Sequence, residues 1–356
     1  MKYTSLLHIL VLTFLSSLVL AEPSSFQPHT SITITGKSFR INGELTYGGL
    51  NPEARGLLMN VRMVNSVFVD NNPETCPKGF DPDKNTDVFI ASMDQYKSKG
   101  ILAFTINLQG GMPGYEGAHN SAFYPDGSLK QDYMNRVARV IEAADQKGMV
   151  IIVGFFYQRQ DQVLRDEEAV RKATVNASSW LKDRGYTNVL VEIANEYKHS
   201  GFDHPIILEE DGEVELMSLV RSAAPSLLVS TAGMGNARFH KNLAEAADYI
   251  LLHGNVSEPV EYPERIKSVT GYGKPVIFNE DWCFSDDSRE IPDAVEKMKA
   301  AFKNGASWGV MNQKRNQAWP FNFTIGTPGE GENAREDFLL YQAMAEMLGI
   351  SENARE

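Results

Sequence analysis

Two short stretches carry residues equipped for chemistry. One is Ile193-Ala194-Asn195-Glu196, the other Val276-Ile277-Phe278-Asn279-Glu280-Asp281. Each is an apolar run that ends abruptly in Asn-Glu. A carboxylate at the last residue of a buried strand stands on the rim of whatever that strand builds. Two carboxylates facing one another can divide a displacement at an acetal carbon between them, one attacking and one moving protons. Glycoside hydrolysis is the main example of that chemistry.

The elements that would position them are legible. Apolar or β-branched runs occupy 57–64, 101–107, 149–156, 188–194, 227–232, 248–253, 275–279 and 307–311. They are short and mostly unbroken, as strands buried on both faces are. Amphipathic, charge-rich segments of helical length lie between them, at about 86–99, 130–147, 166–184, 211–224, 239–247, 260–271, 290–304 and 334–348. Several stop at a glycine, among them Gly100, Gly148, Gly185, Gly305 and Gly349, where a helix C-terminus favours one. Strict β–α alternation over eight units predicts an α/β fold, a (β/α)8 TIM barrel; an open, doubly wound sheet is the alternative. Glu196 would end strand four and Glu280 strand seven, on opposite sides of the mouth. The segments after the strands, 65–85, 109–128, 157–165, 197–210, 280–289 and 312–333, are the long ones, as in a barrel with one working face.

Ahead of the barrel, 31–48 reads as a short N-terminal β-hairpin. Ile32, Ile34, Phe39 and Ile41 supply the strand positions and Asn42-Gly43 the two-residue turn. Residues 1–21, with Lys2, an apolar core from Leu6 to Leu20 and small residues before Glu22-Pro23, have the pattern of a secretory signal peptide, an uncleaved anchor being the alternative. The expected organisation is therefore signal peptide 1–21, hairpin segment 22–50 and catalytic barrel 51–350. Export to a periplasm or to the outside follows, with no stable membrane span after cleavage.

The net charge of −12 argues against nucleic acid as a partner, and more weakly against a strongly anionic polymer. Cys76 and Cys283, the only cysteines, form no CxxC; two free thiols are expected, a disulfide being the alternative. Asn176, Asn255 and Asn322 sit in N-x-S/T sequons. Gly305-Ala306-Ser307-Trp308-Gly309 matches the G-x-S-x-G string, but a helix precedes it, a strand follows it and no His lies beyond His253. Gly233-Met234-Gly235 lacks the third glycine of a dinucleotide loop. His199, Asp203 and His204 share one loop and read as solvated rather than as metal ligands. No metal and no cofactor are expected.

Around the carboxylates, Arg62 near the end of strand one is placed to keep a nucleophile ionised, or to form a structural ion pair. His119 in the strand-two loop, and Tyr157, Gln158 and Gln162 after strand three, are candidate partners for sugar hydroxyls. Trp282 and Trp319 could stack on sugar faces.

Asn195-Glu196 and Glu280, on this architecture, resemble the clan A (β/α)8 glycoside hydrolases, the family 5 cellulase-like enzymes being nearest in style. Arg55-Gly56-Leu57-Leu58-Met59-Asn60, Asn107-Leu108-Gln109-Gly110-Gly111 and Leu252-His253-Gly254-Asn255 are similar to bacterial cellulase-like proteins. The resemblance implies Glu196 as acid/base and Glu280 as nucleophile of a retaining hydrolase. It implies Asn195 as a partner of the sugar 2-hydroxyl and His253 as a group orienting the nucleophile, with a carbohydrate as substrate. The chain departs from the family where Tyr197 replaces the usual Pro, and where Asn312-Gln313 replaces an aromatic platform. Two other classes stay open: a non-catalytic sugar-binding barrel and a metal-dependent barrel hydrolase. Sugar, linkage, mode of cleavage and oligomeric state are left open by these residues.

Overall fold

The computed structural model describes residues 26–350 apart from 112–114, 116, 284–289 and 328. The predicted signal segment lies outside the described residues. No helix among the described residues is long and apolar enough to cross a membrane.

Three short strands come first: β1 (Ile32–Thr35), β2 (Ser38–Ile41) and β3 (Glu44–Leu45). They form an antiparallel meander, one strand more than the expected hairpin. The Asn42-Gly43 turn joins β2 to β3 with positive φ at both residues, as a tight two-residue turn requires. A second two-residue turn, Gly36-Lys37, joins β1 to β2.

The barrel strands follow: β4 (Asn60–Arg62), β5 (Ala103–Asn107), β6 (Val150–Phe156), β7 (Val189–Ala194), β8 (Leu228–Ser230), β9 (Ile250–His253) and β10 (Val276–Glu280). The two-residue β11 (Trp282–Cys283) and then β12 (Gly309–Asn312) complete the set. Parallel pairing runs β12–β4–β5–β6–β7–β8 and, separately, β9–β10. Single parallel bridges, Ala232 to Leu251 and Ile277 to Ser307, close the ring of eight strands, with β11 appended to β12. The fold is a TIM barrel.

Helices cover the outside: α1 (Pro82–Ser98), α2 (Gln131–Gln146), α3 (Glu167–Asp183), α4 (Pro205–Leu208), α5 (Glu210–Ala223), α6 (Lys241–Ala246), α7 (Tyr262–Thr270), α8 (Glu290–Lys303) and α9 (Glu332–Leu348). Their starts follow capping chemistry. The Asp81 side chain accepts from the amides of Asp83 and Lys84 with Pro82 opening α1, and Asp166 accepts from Ala169 N on α3. Every predicted helix is present, α6 shorter than expected. The one-turn α4 interrupts what reads as loop: its opening Pro205 fits a first helical position.

The barrel interior is layered. At the N-terminal end Leu58, Ala103, Val150, Ile152, Leu190, Leu251 and Ile277 make a dry apolar floor. The meander seals that floor from below, with Phe39 edge-on to Tyr249 at a ring separation of 6.3 Å. The segment entering β1 is strapped to the barrel. His29 and Thr30 amides donate to the Asp145 carboxylate, and the Thr187 hydroxyl donates to Thr30 O at 2.6 Å. Above the floor the inward-facing positions turn polar: Asn60, Thr105, Glu192 and Ser230, then Arg62 and His253, all buried.

Candidate active site

At the C-terminal mouth three side chains from three strand ends converge. One ligand atom each from Glu196, His253 and Glu280 lies within 4.8 Å of the others. His253 Nδ1 is 3.3 Å from Glu196 Oε1 and 3.9 Å from Glu280 Oε1. Its Nε2 faces Glu192 Oε1 at 3.7 Å. One imidazole thus touches three carboxylates. Burial works against its charge, and Glu280, Glu192 and Glu196 overcome that, lifting its pKa to about 9. His253 is an imidazolium at neutral pH.

Arg62 supplies the second positive charge. Its Nη1 is 3.1 Å from Glu192 Oε2, its Nη2 donates to Asn195 Oδ1, and its Nε is 2.7 Å from Glu280 Oε2. The Nε contact is close in distance but off the N–H axis, so it is a charge contact rather than an aligned hydrogen bond. A guanidinium fork can serve three partners at once; an ammonium could not hold them in one plane. Burial would push the Glu192 carboxyl up, but Arg62 and His253 bring it below the ordinary glutamate value. The same balance lowers Glu196, where burial is outweighed by the His253 hydrogen bond and charge. The proton of the pair thus favours His253 over Glu196 in the resting site.

Local backbone devices aim these groups. Asn279 and Glu280 are neighbours and would alternate to opposite faces of a regular strand. A register shift between Phe278 and Glu280 against β9 lets both turn inward. Asn279 Nδ2 then donates to Glu192 Oε2 at 3.2 Å, while Glu280 reaches Arg62 and accepts from Asn255 Nδ2 at 2.7 Å. Glu196 sits in the left-handed region, φ 53°, a conformation that costs a non-glycine residue about 1 kcal/mol or more and persists where surroundings enforce it. Tyr197 N, next in the chain, donates to Ala232 O at 3.1 Å. The proline usual in the family has no N–H and could not make this bond.

Behind Glu280, Asp281 is buried and held by the Trp308 indole N–H at 2.9 Å, by Lys297 Nζ at 3.1 Å and by the Tyr262 hydroxyl. Burial pushes its carboxyl pKa up against those three donors. A Cβ on Gly254 would stand 2.0 Å from the Tyr262 hydroxyl oxygen, so only glycine fits beside this anchor.

The structure therefore gathers Glu196, Glu280, Asn195, Arg62 and His253. Gln158 joins them, accepting from Asn195 Nδ2 at 2.9 Å. Tyr157 is buried nearby; burial, then Glu280, raises its phenol pKa. His119 is not in the cluster: it lines a separate cavity with Lys130 and Arg159. Trp319 also stands apart, 39% exposed, edge-on to Phe80 and Phe321. Asn312, in the expected platform position, is buried and bonded to Asp337 at 2.8 Å, so no sugar face can rest there. The Trp282 side chain lies outside the described residues. Cys76 is free, and the Cys283 side chain is likewise outside them. His204 is not a solvated loop residue: it is buried with Nδ1 2.8 Å from Asp161 Oδ2.

Sequence reasoning passed over Glu192 and Asn255 as site residues. Glu192 looks like one more position in a buried strand; a charged residue in an otherwise apolar run was the available signal. Asn255 stood out only as a sequon.

Residues 77–249 match the model of the family described as Cellulase (glycosyl hydrolase family 5), a span that contains Asn195 and Glu196 and stops short of His253 and Glu280. A search of curated proteins finds no match. Among solved structures, a putative glycoside hydrolase from Bacteroides vulgatus is similar at TM-score 0.60 and 13% identity, covering 88% of this chain; this chain spans 61% of that protein. An endo-1,4-beta-mannanase from Rhizomucor miehei is similar at TM-score 0.58 and 10% identity, covering 89% of this chain and 99% of its own. A broad specificity endoglucanase from Clostridium acetobutylicum is similar at TM-score 0.52 and 11% identity, over 86% and 99%.

Proposed function

We propose that this chain, a clan A glycoside hydrolase of the family 5, cellulase-like kind, acts on carbohydrate and cleaves O-glycosidic bonds by a retaining, double-displacement mechanism. The observation that carries this reading is the spacing of the two rim carboxylates. An oxygen of Glu196 and one of Glu280 lie within 4.8 Å. Retaining pairs stand about 5–5.5 Å apart, and inverting pairs, which must admit a water, about 6.5–9.5 Å.

Glu280, charged and steadied by Arg62 and Asn255, attacks the anomeric carbon. Glu196 delivers a proton to the departing oxygen. One proton is shared between His253 and Glu196 in the resting site, and Glu280 is the carboxylate that most favours its residence on the imidazole. As Glu280 becomes a neutral ester its charge is consumed, the imidazolium loses its main support, and the proton moves along the 3.3 Å contact to Glu196 and on to the leaving group. In the second half Glu196 takes a proton from water, the hydroxyl displaces Glu280, and the returning carboxylate restores the imidazolium. Asn195, fixed between Arg62 and Gln158, is the partner for the sugar 2-hydroxyl. Residues 51–350 form the catalytic barrel, and residues 1–21 support a secreted or periplasmic enzyme.

The test is hydrolysis of a panel of polysaccharides and aryl glycosides. It begins with β-1,4-mannan and β-glucans, because the structural neighbours include an endo-1,4-beta-mannanase and broad specificity endoglucanases. Glu280→Ala is expected to lose roughly 10⁴-fold or more. Azide, standing in for the missing carboxylate, then restores turnover and yields a glycosyl azide of inverted configuration. Activity indifferent to both Glu280→Ala and Glu196→Ala overturns the assignment.

A further inference from the structure

Beside the carboxylate cluster the loops after β4, β5 and β6 close around a second cavity of about 230 Å³. Three basic side chains, His119, Lys130 and Arg159, line it together with the polar groups of Asn71, Ser121 and Gln162. None of its lining residues is acidic, in a chain whose net charge is −12.

Lys130 is held there at a cost. It occupies the N-cap position of α2, without a side-chain cap bond, where the helix dipole disfavours a cation. It is half buried, its ammonium 5.8 Å from the Tyr124 ring centre, and burial pulls its pKa below the ordinary lysine value. A bound anion would relieve both effects.

The wall of the cavity is fixed in place. Gln160 accepts from Asn120 N at 2.9 Å through its side chain, donates to Ala118 O at 2.9 Å, and accepts from Gln109 Nε2 at its carbonyl. Gln158, which grips Asn195, is only two residues earlier, and two residues of chain span at most about 7 Å. A sugar chain crossing the mouth from Asn195 would pass this cavity.

We propose that the cavity is a distal subsite for an anionic substituent on the sugar chain, a uronate carboxylate or a sulfate ester, held by Lys130, Arg159 and His119. This deepens the glycosidase reading and rests on it. The acidic protein as a whole would repel a densely charged polymer, whereas one basic cavity suits isolated acidic groups. At about 230 Å³ the space is below the ~300 Å³ of small drug-sized sites and suits one sugar residue or less.

The experiment is a binding titration of the full chain, Glu196 and Glu280 intact, with D-glucuronate, glucose 6-sulfate and D-glucose. At least one anion is expected to bind tenfold or more tightly than glucose, as charge-assisted bonds predict, and the tighter of the two identifies the source of the charge. Arg159→Gln and Lys130→Met are each expected to remove most of that preference. Arg159 is exposed, so its variant decides the matter if Lys130→Met does not fold. Equal affinity for all three sugars, no binding of any, or a preference that persists in Arg159→Gln overturns the proposal. Because the readout is binding, a chain that turns over no glycoside would sink the mechanism while leaving this result to stand or fall separately.

Discussion

His253 Nδ1 and Glu196 Oε1 stand 3.3 Å apart, the imidazole fully buried and the carboxylate 12% exposed at the mouth. With the resting proton favouring His253, the acid function of the site is tied to an imidazole rather than to a hydrophobic pocket around the acid.

The pH profile follows from that pair. The proton leaves His253 as pH rises through about 9, so kcat/KM is expected to fall above about pH 9. His253→Asn, which removes the shared proton, should lose roughly 10²–10⁴-fold and abolish that alkaline limb. The sign for stability is parallel. The folded pKa stands above the ordinary histidine value, so the pair's stabilisation is full below about pH 6.5 and disappears as pH approaches and passes 9. Urea midpoints at pH 6 and pH 9.5 on wild type and His253→Asn check it: only the wild type should lose the increment.

Arg62 neutralises Glu192, whose side chain is wholly buried. Arg62→Met leaves that carboxylate without its main counter-charge and is expected to cost about 3–5 kcal/mol. Arg62→Lys should recover only part, because an ammonium cannot reach Glu192, Asn195 and Glu280 together. Urea denaturation of both variants measures the difference.

Gly110 is a packing requirement of the mouth. It has φ +90°, and a Cβ on it would stand 2.0 Å from Cγ of the Tyr157 ring. Gly110→Ala is expected to displace Tyr157, destabilise the fold by about 1–3 kcal/mol and reduce kcat/KM, since Tyr157 precedes the Gln158 that fixes Asn195. Thermal unfolding and kinetics on the same variant report both effects.

The sequons should be used unequally. Asn322 is exposed, whereas Asn255 spends its amide on Glu280 and Asn176 donates to Gly127 O at 2.9 Å. Expression in a glycosylating host should give a glycan at Asn322 and none at Asn255 in active protein, checked by peptide mass spectrometry.

The repeating units were legible because a strand buried on both faces and a helix buried on one leave different periodicities, and eight such pairs stand in the chain. Both rim glutamates were legible for a related reason: a charge at the end of an apolar run has few structural uses. What escaped notice depended on contacts across the ring. Asn255 follows β9 yet completes Glu280 on β10. The shift that turns Asn279 and Glu280 inward together exists only against the neighbouring strand. Trp319 suited a sugar platform by its type, and the chain sets it, 39% exposed, against Phe80 and Phe321 rather than among the carboxylates.

The meander beneath the barrel has a bearing on the other end of the molecule. Glu192 attracts Arg62 and His253 strongly only while the medium around them is poorly polarisable, and the Phe39 stopper keeps water from entering through the floor. A truncation that unseats residues 29–39 touches no reacting group, yet it would wet the shaft, weaken every charge contact above it and loosen the grip on the shared proton. The first ribbon of the chain acts as insulation for the chemistry at the far mouth.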